Sequence, residues 1–278
     1  MIYLIIAIIF SCMLSILVRI SEGRIKDNIA MLAANYITCT AVAAIDVGFG
    51  SIFISQPGTG IALTLGLIGG LAYFISFVLL QYNIKVNGVV MPATFMKLGL
   101  LVPTAVSLTV FRERPELLQT VGFFLAIAAI IMINFEKGES RVKNKLSLVM
   151  LLILAGIGDL MSKLHEELGN AALSEKFLMF LFGTACVLSV VVMLYKKQHI
   201  GRWELIFGVM MGVPNYLSSK FLLQSLKYLP AVIAFPSFSV GCIAFITVFS
   251  LVVFKEKLSG RQWFALAMIT AALAMLNI

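Results

Sequence analysis

The chain has 278 residues, 61% of them hydrophobic and 12% charged, with a formal net charge of +8. A soluble domain carries roughly 45–50% apolar and about 25% charged residues, so this surplus of Leu, Ile, Val, Phe and Met needs hydrocarbon around it, which excludes an ordinary water-soluble globule. The basic residues punctuate apolar runs and form no Lys/Arg stretch with interleaved aromatics, which argues against a nucleic-acid partner and for anchoring at anionic headgroups.

A bilayer core of about 30 Å takes about 20 apolar residues of helix. Cutting the chain at charges and turn residues predicts ten such segments. The first, 2–19, has no charged residue before Arg19 and no small-residue cleavage site after it, so it reads as a span and not as a cleaved signal. Spans follow at 28–48, 60–81, 88–110 and 117–134, with the link RERPE between the fourth and fifth. The second set covers 146–165, 177–195, 203–226, 231–254 and 262–277, with FKEKLSGRQ before the last. Links this short leave no soluble domain, so any function has to lie within the helical bundle. Cys12, Cys39, Cys186 and Cys242 each sit in an apolar run without CxxC or Cys/His spacing, and read as small buried side chains.

A shift of 143 residues lays 66–134 on 209–277 without a gap, with 19 of 69 positions identical. Polar identities carry the match: Tyr73 with Tyr216, Ser76 with Ser219, Gln81 with Gln224, Glu113 with Glu256, Gln119 with Gln262 and Asn134 with Asn277. Apolar composition alone would not align them. The chain therefore reads as two five-helix halves, 1–137 and 145–278. An odd number of spans per half inverts the second copy, the arrangement on which many secondary transporters build alternating access. The expected fold is an all-α integral membrane protein with ten transmembrane helices as two inverted five-helix repeats.

The segments FRERPELLQTVGFFLAIAAIIMIN and FKEKLSGRQWFALAMITAALAMLN, each with a glutamate closing a fourth helix, resemble the drug/metabolite transporter superfamily, specifically its EamA-type ten-helix members. The first helix lacks the tryptophan often found there in that family. The resemblance implies transport of a metabolite, often by exchange or proton coupling, without naming the substrate.

Lys97, near the middle of the fourth segment, is the foremost candidate for solute binding. A charge there costs about 2.5–3.5 kcal/mol and has to face a cavity or a partner. The ammonium either meets an anionic or zwitterionic solute, or pairs with a nearby carboxylate or helix carbonyls with its stem stretched toward the interface. Asp159, Lys163 and Lys220 form an ion pair or pairs, or else act in gating or coupling. Pro214 interrupts the eighth segment beside Asn215 and Tyr216, so Tyr73, Asn215 and Tyr216 either line a cavity or pack a kinked helix. Pro92, Pro103 and Pro236 allow kinks in the fourth and ninth segments. Asp46 reads as interfacial, and His165 and Glu166 as lying in or near a loop. Glu113 and Glu256 are expected to be tethered to their basic neighbours Arg112, Arg114, Lys255 or Lys257. Gly208 with Gly212 and Gly122 with Ala126 have the four-residue spacing that allows close helix contact.

No GK[ST] loop, HExxH or Cys/His metal spacing occurs, so the sequence predicts neither enzyme nor cofactor nor metal. It predicts a secondary carrier in the cell membrane, moving a small metabolite, anionic or zwitterionic. The alternative is a proton-coupled drug or cation exporter using Asp159; a channel or a non-transporting scaffold ranks below both. The expected partners are the solute and the lipid bilayer, with a homodimer as the assembly to test. Fourteen Lys/Arg fall on the side reached after odd-numbered spans and five on the side of the termini, Lys97 and Lys220 set apart. That bias places the termini outside the cytoplasm, whereas the family resemblance implies cytoplasmic termini.

Overall fold

A computed structural model of the chain describes residues 1–21, 23–87, 90–134, 144–253 and 260–277. All regular structure among these residues is helical: α1 Ile2–Ser21, α2 Asn28–Val47, α3 Thr59–Asn87, α4 Val90–Lys97, α5 Leu101–Thr109, α6 Leu117–Asn134, α7 Lys145–Leu168, α8 Ser174–Tyr195, α9 Arg202–Leu226, α10 Ala231–Val253 and α11 Gly260–Leu276, with short 3₁₀ turns at 49–51, 98–100 and 171–173. Among the described residues seven helical segments are long and apolar enough to cross a membrane: those of α1, α2, α3, α7 and α10, Met91–Thr109, and Ala171–Tyr195. The helices α6 and α11 are apolar but shorter.

The chain folds into two compact units that cut across the sequence halves. One contains Met1–Phe74 and Met161–Lys227, the other Ile75–Leu160 and Tyr228–Ile278. In the first, α9 packs on α1 and α2, and α8 on α2. Glycines set the closest approaches. A Cβ on Gly212 would stand 2.5 Å from Thr38 Cβ of α2, and one on Gly69 would stand 3.0 Å from Leu181 Cδ1 of α8. Side chains add direction: Ser218 Oγ donates to the Ala7 carbonyl at 3.0 Å, and Phe221 stacks between Tyr3 and Phe10. The N-terminus of α2 lacks a side-chain cap of its own; the carboxylate of buried Glu204 accepts from the Lys26 amide at 2.8 Å and the Asp27 amide at 3.4 Å.

In the second unit α6 packs on α11, where a Cβ at Gly122 would lie 3.0 Å from Met275 Cβ, and α10 packs on α5, α6 and α11. Buried Asn83, near the end of α3, accepts from Ser147 Oγ at 2.7 Å, which keeps the polar end of α3 helical to Asn87. The helix therefore runs past the span predicted at 60–81.

Glu113 has a role that its basic neighbours do not suggest. Its two carboxylate oxygens accept from the Ala231 and Val232 amides, both at 3.1 Å, so it caps the N-terminus of α10. An anion is favourable at a helix N-terminus, where amides lack partners within the helix. The expectation for Glu256, and for Lys255 and Lys257, falls outside the described residues. His165 and Glu166 lie in the last turn of α7, next to the loop that follows, and His165 is buried with its ring stacked on Phe177 at 4.5 Å.

Candidate functional site

The predicted residues fall into two groups, one in each unit. In the second unit the fourth segment is broken where Lys97 stands: α4 ends at Lys97, a 3₁₀ turn covers Leu98–Leu100, and α5 resumes at Leu101. Two sequence features produce the break. Pro103 has no N–H for the Gly99 carbonyl four residues earlier, and Gly99 lies against Gly156 of α7, where a Cβ would be 2.9 Å from the Gly156 nitrogen. A Cβ on Gly156 would in turn meet the Gly99 carbonyl oxygen and stand 2.5 Å from Val102 Cγ2. This close crossing brings α7 alongside the break, and half-buried Asp159 lies in the field of half-buried Lys97. A basic and an acidic side chain 62 residues apart in sequence thus lie on two adjoining apolar helices.

The first unit gathers Tyr73, Asn215, Tyr216 and Lys220. Tyr73 and Tyr216, which the 143-residue shift superposes, both meet Phe182 of α8 edge-on, with centroids 6.5 and 6.2 Å away, and Tyr36 joins at 6.2 Å. Beside Pro214, Asn215 Nδ2 donates to Asn35 Oδ1 at 3.0 Å, while Cys39 Sγ is shared between Asn35 Oδ1 and the Gly212 carbonyl. Polar atoms next to the proline are thus satisfied from α2. The Tyr216 hydroxyl donates to Asp46 Oδ2 at 2.6 Å, and Lys220 Nζ donates to the same oxygen at 2.5 Å with Glu175 3.9 Å away. Asp46 is consequently the charged partner of α9 and not a bare interfacial residue. Lys163, almost fully buried, donates to Glu166 at 2.9 Å and Glu167 at 2.5 Å on its own helix. Its charge is met within α7.

Lys97 and Asp159 place a basic and an acidic side chain on two adjoining helices, and the Tyr73–Phe182–Tyr216 cluster offers aromatic edges and a phenol already engaged by a carboxylate. Among the described residues no three His, Cys, Asp or Glu side chains are placed together to hold a metal ion. Sequence reasoning missed Phe182, one of 21 phenylalanines with nothing local to mark it. It also missed Asn35 and the role of Asp46, whose partners are 180 and 174 residues away.

No family model matches the chain. An uncharacterized protein of Haemophilus influenzae is 26% identical to it over 277 residues, covering 94% of this chain and 92% of that protein. A solved crystal structure of a protein superposes with a TM-score of 0.80 at 15% identity, covering 99% of this chain and 95% of the other, so the two share a fold along nearly their whole length.

Proposed function

We propose that the protein is a membrane-embedded secondary carrier of the drug/metabolite transporter type, with ten spans in two inverted five-helix repeats, moving a small zwitterionic or anionic metabolite across the cell membrane by alternating access. The observation that carries this reading is the break of the fourth segment at Lys97, crossed closely by α7 through Gly99 and Gly156, which leaves half-buried Lys97 and half-buried Asp159 on two adjoining apolar helices. Each charge is costly at membrane depth and marks a solute or ion pathway by default. A zwitterion can replace both internal partners at once, its carboxylate on Lys97 and its ammonium on Asp159; an anion engages Lys97 alone.

Repeat-related packing supports the inverted architecture. Gly212 packs on Thr38 and Gly69 on Leu181, and both members of each pair are related by the same 143-residue shift. Tyr73 and Tyr216, related likewise, approach the one ring of Phe182. A two-fold relation between halves is what makes two opposite-facing states similar in energy.

The test is a thermal-shift screen of the detergent-purified protein against amino-acid zwitterions, small carboxylates and phosphates, and organic cations, followed by uptake into proteoliposomes. A ligand at 100 times its dissociation constant adds about 2.7 kcal/mol of stability. Zwitterions or anions are expected to stabilise the wild type, with the response and uptake lost in a folded Lys97→Ala variant; a zwitterion response is also lost in Asp159→Asn. Unchanged uptake in Lys97→Ala removes Lys97 from the site. Stabilisation by cations that survives Lys97→Ala but not Asp159→Asn, with uptake driven by a proton gradient, replaces this reading with the exporter. That second reading is favoured by the position of the Asp159 carboxylate.

A further inference from the structure

Five basic side chains of the first unit gather at one end. Exposed Arg24 lies 5.5 Å over the ring of half-exposed Trp203; exposed Lys26 is joined through its backbone amide to Glu204, next to Trp203. Exposed Lys196 and Lys197 close α8 and exposed Arg202 opens α9, while Met193 of α8 packs on Ala30 and Ala33 of α2, bringing those lysines to the same end as Lys26. The described carboxylates here are Glu204, which is buried and occupied by the Lys26 and Asp27 amides, and half-buried Asp27. Five exposed cations thus face two partly or fully covered acids.

From this end an apolar track runs back along α8. Leu194 and Val191 are 64% and 57% exposed, and Val187, 62% exposed, borders a groove of about 450 Å³ lined also by Thr40, Leu67, Phe180, Gly183, Thr184 and Leu188. Its two threonine hydroxyls are taken by their own helices, Thr40 by the Tyr36 carbonyl and Thr184 by that of Phe180. The groove therefore offers no free donor to a polar ligand. Leu188 and Lys196 are eight residues apart, about 12 Å along the helix axis, so an anionic headgroup at the lysines can send an acyl chain into the groove.

We propose that the basic end and the α8 groove of this unit together form a binding site for one acidic phospholipid, with its phosphate on Lys196 and Lys197, beside Arg24 and Arg202, and one acyl chain along Val191, Val187 and Gly183. This rests on the reading of the chain as a membrane protein. Charge complementarity selects the headgroup, since each Lys or Arg near an anionic surface contributes about a fivefold gain. The dry groove selects the chain.

The test measures thermal unfolding of the full chain in a neutral detergent with added phosphatidylglycerol, phosphatidylcholine or inorganic phosphate. Phosphatidylglycerol is expected to raise the midpoint in a saturable way and the other two to leave it near its starting value. The Lys196→Gln/Lys197→Gln variant is expected to weaken the phosphatidylglycerol response by an order of magnitude or more. Gly183→Leu fills the groove where a Cβ meets only Thr40 Cγ2 at 3.8 Å, and is expected to weaken it at unchanged charge. Equal responses to both lipids, or an undiminished response in the lysine variant, overturn the proposal. An equal response to inorganic phosphate reduces the site to free-anion binding and overturns the acyl part. A change of oligomeric state in Gly183→Leu with the lipid response intact assigns the groove to a second copy of the chain. Recovery of the chain in the soluble fraction without detergent overturns the membrane reading itself, a result distinct from all of these.

Discussion

Gly156→Ala tests whether the crossing of α7 against the break of the fourth segment is as tight as described. The added methyl would meet the Gly99 carbonyl oxygen and stand 2.5 Å from Cγ2 and 2.6 Å from Cβ of Val102. Neither neighbour can swing away: one is backbone and the other a β-branched residue held close to its Cα. Overpacking of this kind costs about 1–3 kcal/mol, offset by at most about 1 kcal/mol from the better helix propensity of alanine. The net expectation is a loss of about 1–2 kcal/mol. Gly183→Ala is the matched control. Its Cβ finds only Thr40 Cγ2, at 3.8 Å, so propensity acts alone and the variant should gain up to about 1 kcal/mol. The same chemical change thus has opposite signs at two helical glycines. Unfolding of both variants in detergent micelles, by heat and by denaturant, reads the difference. A Gly156→Ala variant as stable as wild type, or two variants shifting together, would refute the reasoning.

Tyr216→Phe keeps the ring against Phe182 and removes the donor to Asp46; because the Asp46 side chain is 31% exposed, the loss should lie near the low end for hydrogen bonds to charged groups, about 1.5 kcal/mol. Adding Lys220→Gln should cost less than the sum of the single changes, since both donors share one oxygen; additive losses in a double-mutant cycle would separate them. Glu113→Ala should destabilise by about 1–2 kcal/mol through loss of the α10 cap, with Glu113→Gln recovering part of it. Equal stability of all three proteins would remove the cap from consideration.

Helices were legible wherever apolar length decides, and their ends were not wherever polar residues are satisfied within the fold. Cutting at charges ended the sixth predicted segment at 165, yet α7 continues to Leu168 because Lys163 pairs with Glu166 and Glu167 on the same helix face. A buried lysine with two carboxylates one turn on does not terminate a helix. The fourth segment was legible as a span with kinks at Pro92 and Pro103, but the 3₁₀ turn depends on Gly156, which is distant in sequence. At the candidate site the internal repeat singled out Tyr73 and Tyr216, since it preserves both. Their hub at Phe182 has no repeat counterpart to flag it; the shift pairs it with Cys39. Lys97 stood out as a lone cation in an apolar run, and its Asp159 neighbour was hidden because the two lie on different helices.

The discontinuous make-up of the first unit has a consequence for biogenesis. Its opening helix α1 ends at Ser21, and α9, against which it packs, begins only at Arg202. At ribosomal rates of about 5–20 residues per second, the nascent N-terminus waits on the order of ten to forty seconds for that partner to emerge. Throughout that interval the flank of α1 carrying Ala7 and Phe10 has to be sheltered by lipid or by the insertion machinery. A chain cut between residues 137 and 145 would leave each fragment holding only part of each unit, and recovery of the fold would require the two pieces to meet in one membrane.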